Sequence, residues 1–312
     1  MTPTQPIVSD AKRAARIGMD IGGSKIAAVS LDEDARIEAE ATLPVAMGAA
    51  GVLDTAAGLV AELAERTGRA PSDFASLGVG VPGQVQRPRG TVRHAYNLEI
   101  EEMELGELLS ARTGIPVSVD NDVTAASIGA AHLMGLDGTI AYLNLGTGLA
   151  AGIIIDGRAR RGANGVAGEI GHLPIDPLGR PCNCGQVGCL ETVAGGMALR
   201  NHWPAGGADP GRRLLRAVEA GDDDARRAFD LLVSGTARAI RVLGLTIDPD
   251  TVVIGGGLRL LGAPLIDGIR RTLETWEAET SFFAQLGMSR RLHVLPEGSP
   301  AAAVGAALAS RA

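Results

Sequence analysis

Residues 139–156, TIAYLNLGTGLAAGIIID, consist of two apolar runs separated by Gly146-Thr147-Gly148. That arrangement reads as a strand, a tight glycine turn and a second strand. It repeats a pattern found earlier, at Arg16–Leu31, RIGMDIGGSKIAAVSL, where two β-rich apolar runs flank Gly22-Gly23. A glycine pair lets backbone N–H groups approach an anion closely, and Ser24 and Lys25 add a hydroxyl and a cation suited to phosphate. Asp20, just before the first turn, can hold a metal ion or its water shell. Facing each other across a cleft, two such turns could hold the two ends of a triphosphate chain. Each fragment alone is also compatible with an ordinary hairpin.

Between the two turns the chain alternates strand and helix signals. Asp34–Pro44 can add a third strand, and Gly51–Thr67 places Leu53, Leu59, Val60 and Leu63 on one helical face. Leu77–Pro82 is a buried strand leading into Gly83, Val92–Leu98 carries Asn97, and Leu105–Thr113 is a short helix. Pro116–Val119 then runs into Asp120-Asn121-Asp122 ahead of a helix over Val123–Leu133. Strand ends facing helix starts are where open α/β sheets place their sites. One carboxylate there could take a proton from a substrate hydroxyl while the Asn121 amide fixes a neighbouring hydroxyl. Equally, Asp and Asn at that position are N-caps for the helix that follows.

The composition fits an α/β chain. At 312 residues, 46% of them apolar, there is material for two domains of ordinary size, and with only 3% aromatic residues the core must be Ala, Val, Leu and Ile. A net charge of −7 argues against a nucleic-acid partner. No run approaches the ~18 apolar residues of a membrane span. Residues 1–16 read as a polar leader with no signal-peptide pattern. The expected location is the cytoplasm.

All three cysteines fall in Glu169–Glu191, GEIGHLPIDPLGRPCNCGQVGCLE when read from Gly168. Cys182, Cys184 and Cys189 together with His172 form the ligand set of a closed tetrahedral zinc site. An odd number of closely spaced cysteines suits metal binding in a reducing compartment better than disulfides. Glu169 and Glu191 stay outside the ligand series and are free to meet a polar substrate. The competing readings are buried thiols without metal, a redox pair, or a zinc remote from any active site.

Farther on, Asn201–Arg213 reads as a turn-rich connector, Leu214–Leu232 and Val233–Leu245 as two helices, and Asp222-Asp223-Asp224 as a solvated helix start. Thr251–Ile254 is a strand opening onto Gly255-Gly256-Gly257, where a flat purine could lie against backbone. Leu265–Glu279, Leu292–Leu295 and Ala301–Ala309 complete the chain as helix, strand and small-residue helix.

Taken together these motifs resemble the sugar-kinase and actin-like ATPase superfamily, and within it the ROK family. Asp20-Ile-Gly-Gly-Ser-Lys25 is similar to that family's first phosphate motif, Leu145-Gly-Thr-Gly148 to its second, and Val253-Ile-Gly-Gly-Gly257 to its adenosine motif. Glu169-Ile-Gly-His172 and the cysteine series have the spacing of the family's metal signature. The resemblance implies a two-domain α/β fold of the actin-like, ribonuclease H-like kind, with an interdomain cleft and a zinc-bound loop. The implied boundaries are a leader over 1–16, an N-terminal domain over 17–122, a C-terminal domain over 123–298, and a terminal helix over about 299–312 packing back on the first domain.

It further implies an ATP-dependent hexose kinase using Mg²⁺, with structural zinc held by His172, Cys182, Cys184 and Cys189. Asp122 would be the general base, and Gly83, Asn97, Asn121, Glu169, His172 and Glu191 would meet the sugar. Asp20, Gly22, Gly23, Ser24, Lys25, Gly146, Thr147, Gly148, Gly255, Gly256 and Gly257 would bind nucleotide. Glucose is the expected substrate, and a homodimer or homotetramer the expected assembly. N-acetylmannosamine, N-acetylglucosamine, fructose and mannose are alternative substrates, and polyphosphate an alternative donor. The chain departs from the family pattern at Ser24 for Thr, Asp120 for Glu, Ala130 for Glu and Glu99-Ile100 for Gly-Trp, so the sugar need not be glucose. Repressors of the same family carry a winged-helix segment before the first phosphate motif. Sixteen residues precede Ile17 here, so a sugar-responsive regulator without a DNA-binding domain is the weaker alternative.

Overall fold

The computed structural model of the chain describes residues 14–87, 89–207 and 209–310. Most of the leader, residues 1–13, therefore lies outside the described residues. Its last residues belong to the fold: Ala15 is buried and its carbonyl accepts a hydrogen bond from Ala75 N–H.

The chain divides into two compact units. The first runs to Leu136 and also takes Gly157–Val166 and the residues from Gly298 onward; the second comprises Asp137–Asp156 and Ala167–Glu297. The first unit begins with β1 (Arg16–Ile21), β2 (Lys25–Leu31), β3 (Ile37–Pro44), α1 (Gly48–Thr67) and β4 (Ser76–Val81). It continues with β5 (Gln84–Gln86), β6 (Thr91–Ala95), β7 (Ile100–Met103), α2 (Leu105–Thr113), β8 (Val117–Asn121) and α3 (Asp122–Leu133). Strands β9 (Ile140–Leu145) and β10 (Leu149–Ile155) open the second unit, after which β11 (Arg158–Ala159) lies in the first. The second unit resumes with α4 (Gly196–His202), α5 (Gly211–Glu219), α6 (Asp223–Ile247), β12 (Thr251–Gly255), α7 (Ala263–Glu279), α8 (Ser281–Leu286) and β13 (Leu292–Val294). Helix α9 (Ala301–Ala309) ends the first unit.

In the first unit the main sheet has the order β3-β2-β1-β4-β8. Strands β1 and β2 are antiparallel across the Gly22-Gly23 turn, and β1, β4 and β8 run parallel. On β1 and β4 the large apolar side chains alternate, with Ile17, Met19, Ile21, Leu77, Val79 and Val81 buried and Gly18 and Gly78 at intervening positions. The second unit repeats the plan: β9 and β10 are antiparallel across Gly146–Gly148, and β12 lies parallel to β9 and β13. Its core is formed by α6 and α7 residues such as Leu232, Ile240, Leu243, Leu265 and Ile269. Among the described residues no helix is long and apolar enough to cross a membrane.

Glycine seats α9. Gly18 and Gly78 face each other across the β1–β4 ladder, and a Cβ on Gly78 would stand 1.8 Å from the Ala306 carbonyl oxygen. Helices α3 and α9 approach equally closely, since a Cβ on Gly305 would meet the Ala125 carbonyl at 1.8 Å. This contact keeps α3 in the first unit, whereas the sequence places the boundary at 122/123. Gly78→Ala should therefore destabilise the protein by about 1–3 kcal/mol through overpacking. A thermal melt checks this, and an unchanged midpoint would show that α9 is not seated on these strands.

The helix break read near residue 232 lies elsewhere. Helix α5 stops at Glu219, Gly221 takes φ +86°, and Asp222 caps α6 by accepting from Ala225 N–H at 2.9 Å. Nothing between Leu232 and Val233 interrupts the α6 hydrogen bonding, so the 25 residues from Asp223 form one helix. Asp222 is accordingly a cap as well as a solvated charge, and it also accepts from Trp203 Nε1 at 3.1 Å. The connector read over 201–213 is partly helical, since α4 ends at His202 and α5 begins at Gly211.

Candidate functional site

In the first unit, the Gly22–Lys25 turn lies between paired strands, with Gly22 N–H bonded to the Lys25 carbonyl at 3.0 Å. Gly23, Ser24 and Lys25 are exposed, so their N–H groups and side chains are available to an anion. Asn97 lies against this turn: a Cβ on Gly23 would come within 3.3 Å of its amide nitrogen. Asp20, on the strand leading into the turn, is pushed up from 3.8 to about 7, first by burial and then by the nearby negative charge of Asp122; Lys25 opposes the shift. Burial also raises Asp122, against the pull of the backbone N–H groups of Val123 and of Asp122 itself. Asp122 thus raises the proton affinity of Asp20, and buried carboxylates of this kind are a ready place for a cation or for proton transfer.

Asn121 ends β8 and caps α3, its Oδ1 accepting from Val123 N–H at 2.9 Å and from Thr124 N–H at 3.2 Å. The capping reading is thus correct for Asn121, and Asp122, the first residue of α3, also accepts from Val123 N–H, with its Oδ1 at 2.9 Å. The Asn121 amide donates to the Gly83 carbonyl at 3.4 Å. Gly83 itself sits at φ +100°, and a Cβ there would meet the Arg93 carbonyl at 2.6 Å. This position tolerates no side chain.

The second unit holds the metal stretch. One ligand atom each from His172, Cys182, Cys184 and Cys189 lies within 4.8 Å of the others. His172 Nδ1 is 3.7 Å from Cys182 Sγ, and Cys184 Sγ is 3.6 Å from Cys189 Sγ. Sulfur and nitrogen donors at such separations fit the edges of a tetrahedron around Zn²⁺. Hydrogen bonds from the Gln186 backbone N–H and side chain pull the Cys184 thiol down to about 6, whereas burial pushes Cys182 up. The loop has little core of its own. Short bridges, Pro174 with Cys189 and Pro181 with Val187, and buried Cys189 hold its backbone.

With Nδ1 toward the thiols, His172 turns Nε2 toward Glu169, 3.9 Å away. Glu191 Oε1 lies 3.0 Å from Cys182 Sγ and 3.5 Å from His172 Nδ1. Its other oxygen is 2.8 Å from where a Gly148 Cβ would stand. The second glycine turn and the metal loop are therefore in contact, and a side chain at Gly148 would require the Glu191 carboxylate to shift. Helix α4 fastens the same turn, Gly196 N–H to the Gly146 carbonyl and Met197 N–H to the Thr147 carbonyl, both at 2.8 Å. Three of the other histidines have their own partners: His94 with Tyr96 Oη, His132 with the Ala35 carbonyl, and His202 with the Thr192 carbonyl.

A cavity of about 480 Å³ opens beside Gly146 and Thr147, with Leu258, Leu260 and Leu261 along one wall and Arg200 on another. Of the three glycines read as an adenosine motif, only Gly257 lines it. Gly255 is packed under Tyr142, and Gly256, at φ +76°, under the Leu145 backbone. These two shape the turn, and Gly257 gives the open face. Residues 209–212, read as part of a connector, form another wall, with Asp209 and Arg212 paired at 3.1 Å. Sequence reasoning missed them and Arg200; the apolar Leu258, Leu260 and Leu261 after the glycines were the available signal.

Three comparisons bear on this geometry. The sequence model described as the ROK family matches residues 16–311. A protein from Streptomyces coelicolor named glucokinase is 34% identical over 281 residues, which cover 83% of this chain and 87% of that protein. Among solved structures, the ROK hexokinase of Thermus thermophilus superposes with a TM-score of 0.78 at 31% identity, covering 94% of this chain and 97% of that one. A ROK family glucokinase from Streptomyces griseus, solved with glucose and AMPPNP, gives 0.76 at 32% identity, covering 94% and 98%.

Proposed function

We propose, on the premise that this chain belongs to the ROK family, that it transfers the γ-phosphoryl group of ATP to glucose O6. It is an ATP-dependent sugar kinase; the sugar and the individual roles are our reading. The observation that carries the roles is the Asp20–Asp122 pair beside the first glycine turn, both held above the ordinary carboxylate range.

Asp122 accepts the proton of the attacking hydroxyl, leaving the oxygen free to bond phosphorus as the bond to ADP breaks. A base whose proton affinity is raised toward neutrality is better matched to that transfer than an exposed aspartate. Asn121, Asn97 and Gly83 are assigned to the sugar, as are Glu169, His172 and Glu191, whose acceptors and imidazole suit vicinal hydroxyls. Gly22–Lys25 and Gly146–Gly148 supply N–H groups to the phosphates. The base and ribose are assigned to the cavity by Gly257, whose leucine wall suits a purine better than an extended polyphosphate.

Asp20 is the residue placed to hold Mg²⁺ or its water shell, and such a cation supplies neutralisation of phosphate charge. His172, Cys182, Cys184 and Cys189 would hold zinc, which would fix the orientation of His172 and support the loop that carries Glu169 and Glu191. Phosphoryl transfer asks little covalent work of a protein, so placement of these groups is the main contribution.

An ADP-release assay across glucose, mannose, fructose, N-acetylglucosamine and N-acetylmannosamine, with ATP and polyphosphate as donors, tests the reading. Glucose with ATP should give the highest kcat/KM. A higher value for an N-acetylhexosamine would replace glucose, and no turnover of any sugar would overturn the kinase assignment.

A further inference from the structure

Asp120 precedes the two residues assigned to the sugar and the proton, yet it faces neither task. Its carboxylate is buried, 6% exposed, and two guanidinium groups from separate loops converge on it. Arg161 Nε donates to Oδ2 at 2.9 Å and to Oδ1 at 3.1 Å, and Arg161 Nη2 also donates to Oδ2. Arg87 Nη1 reaches Oδ2 at 3.4 Å. Oδ1 in turn accepts from the backbone N–H of Asn121 at 3.1 Å. Arg161 is itself held, with Nη1 donating to the Ala159 carbonyl at 3.3 Å.

These contacts form a chain of fixed parts. The guanidinium of Arg161 is planar and grips both carboxylate oxygens, so it sets the angle as well as the position of the Asp120 side chain. That side chain fixes the peptide leading into Asn121. Asn121 caps α3, and Asp122 is the first residue of α3. On the other side, β8 is held to β4 in register, Gly80 opposite Asp120 and Val81 opposite Asn121. The strand end therefore has its ladder on one side and the arginine clamp on the other.

We infer that Arg161 and Asp120, assisted by Arg87, are positioning residues that hold Asn121 and Asp122 in place for the sugar hydroxyl. The inference rests on the reading of Asp122 as base and Asn121 as a sugar ligand. The clamp holds the peptide that leads into Asn121 and Asp122, so its effect is expected through geometry. A misplacement on the order of 1 Å at a reacting group lowers turnover roughly 100-fold. Loss of the clamp should thus appear at the sugar end of the reaction and leave ATP affinity alone.

The test uses the full-length chain with glucose and ATP, after the wild type has been shown to turn glucose over; failure there counts against the substrate reading, before any variant is made. R161Q and D120N should each lower kcat/KM for glucose by about 10–100-fold, with KM for ATP unchanged. The double variant should be little worse than either single one, because both remove the same contact. D120E, which restores a carboxylate to the arginines, should recover most of the activity. Calorimetric binding of glucose should weaken on adding R161Q to a D122N background, a readout that needs no turnover and survives a wrong base assignment. If R161Q melts below the assay temperature, R161K, which keeps the charge but not the planar fork, gives the same readings. Folded variants with glucose kcat/KM and glucose binding within about twofold of wild type, or with KM for ATP raised equally, would overturn the inference.

Discussion

Replacing Asp122 with asparagine is expected to lower kcat by about 10²–10⁴-fold while glucose binding changes little. Asparagine keeps the shape of the side chain and can still accept from the Val123 N–H, which lies 2.9 Å from Asp122 Oδ1. It cannot take a proton. The same substitution should raise stability. Asp122 and Asp20 both carry folded-state proton affinities above their ordinary 3.8, Asp20 reaching about 7. Between those values the native state binds more protons than the unfolded one, so stability falls as pH rises through the window. The cost is complete above the folded value and absent below the unfolded value. D122N removes one of the two charges and should melt higher than wild type at pH 8, with the gap closing near pH 4. Mg²⁺ should narrow the gap at pH 8 by neutralising the pair. Undiminished turnover in D122N would remove Asp122 from the mechanism, and a lower melting point at pH 8 would contradict the electrostatic reading.

The positions of Asp20 just ahead of the first glycine turn and of Asp122 just after β8 were legible from residues alone. That burial acts on both, and the charge of Asp122 on Asp20, is a tertiary effect that no local pattern announces. Gly22, Gly23, Gly146 and Gly148 were legible as turns, because a tight reversal between two apolar runs favours glycine. Helices α2 and α9 begin and end where the sequence places them because Gly114 stops the first at φ +74° and Pro300 precedes the second. The α5–α6 boundary was misread because apolar spacing continues through both helices, while the break depends on Gly221 and the Asp222 cap, short signals in a charged run.

Features made by tertiary adjacency left less mark. The cavity by Gly257 is walled by residues 209–212 and by α4, which is bonded to the second glycine turn through Gly196 and Met197. Arg161 and Asp120 are 41 positions apart, and no local pattern announces their pairing. Gly255 and Gly256 have the same sequence signal as Gly257, yet Tyr142 and Leu145 fill the space above them. Composition marks where a backbone must be bare. It does not distinguish a ligand from a neighbouring strand as the reason.

The purified chain should carry close to one zinc per protomer, and removing it should abolish both the structure of residues 173–189 and sugar turnover. The loop brings together few buried apolar groups: Cys189 and Leu190 are wholly buried, while Leu178, Val187 and Cys184 are exposed. Within the loop, Gly188 at φ +71° packs directly against the Asp176 carbonyl, so the turn there admits no side chain. Structural zinc sites contribute about 10–16 kcal/mol of apparent binding energy, comparable with or above the roughly 5–15 kcal/mol that stabilises a whole domain. Without metal the loop should therefore open, releasing Glu191 from Gly148 and His172 from the thiols. Cys189→Ala, which deletes a buried ligand, should lose metal and fall in kcat/KM for glucose by at least about 100-fold, in line with or beyond the effect of disturbing a metal's supporting residues. Glu191→Gln keeps all four ligands, so it should retain zinc while weakening glucose, which separates recognition from support. Metal analysis of the wild type and the two variants decides between them. A metal-free protein that melts and turns over like the zinc-loaded one would rule out the site, and zinc retained without effect on glucose would move it away from the sugar.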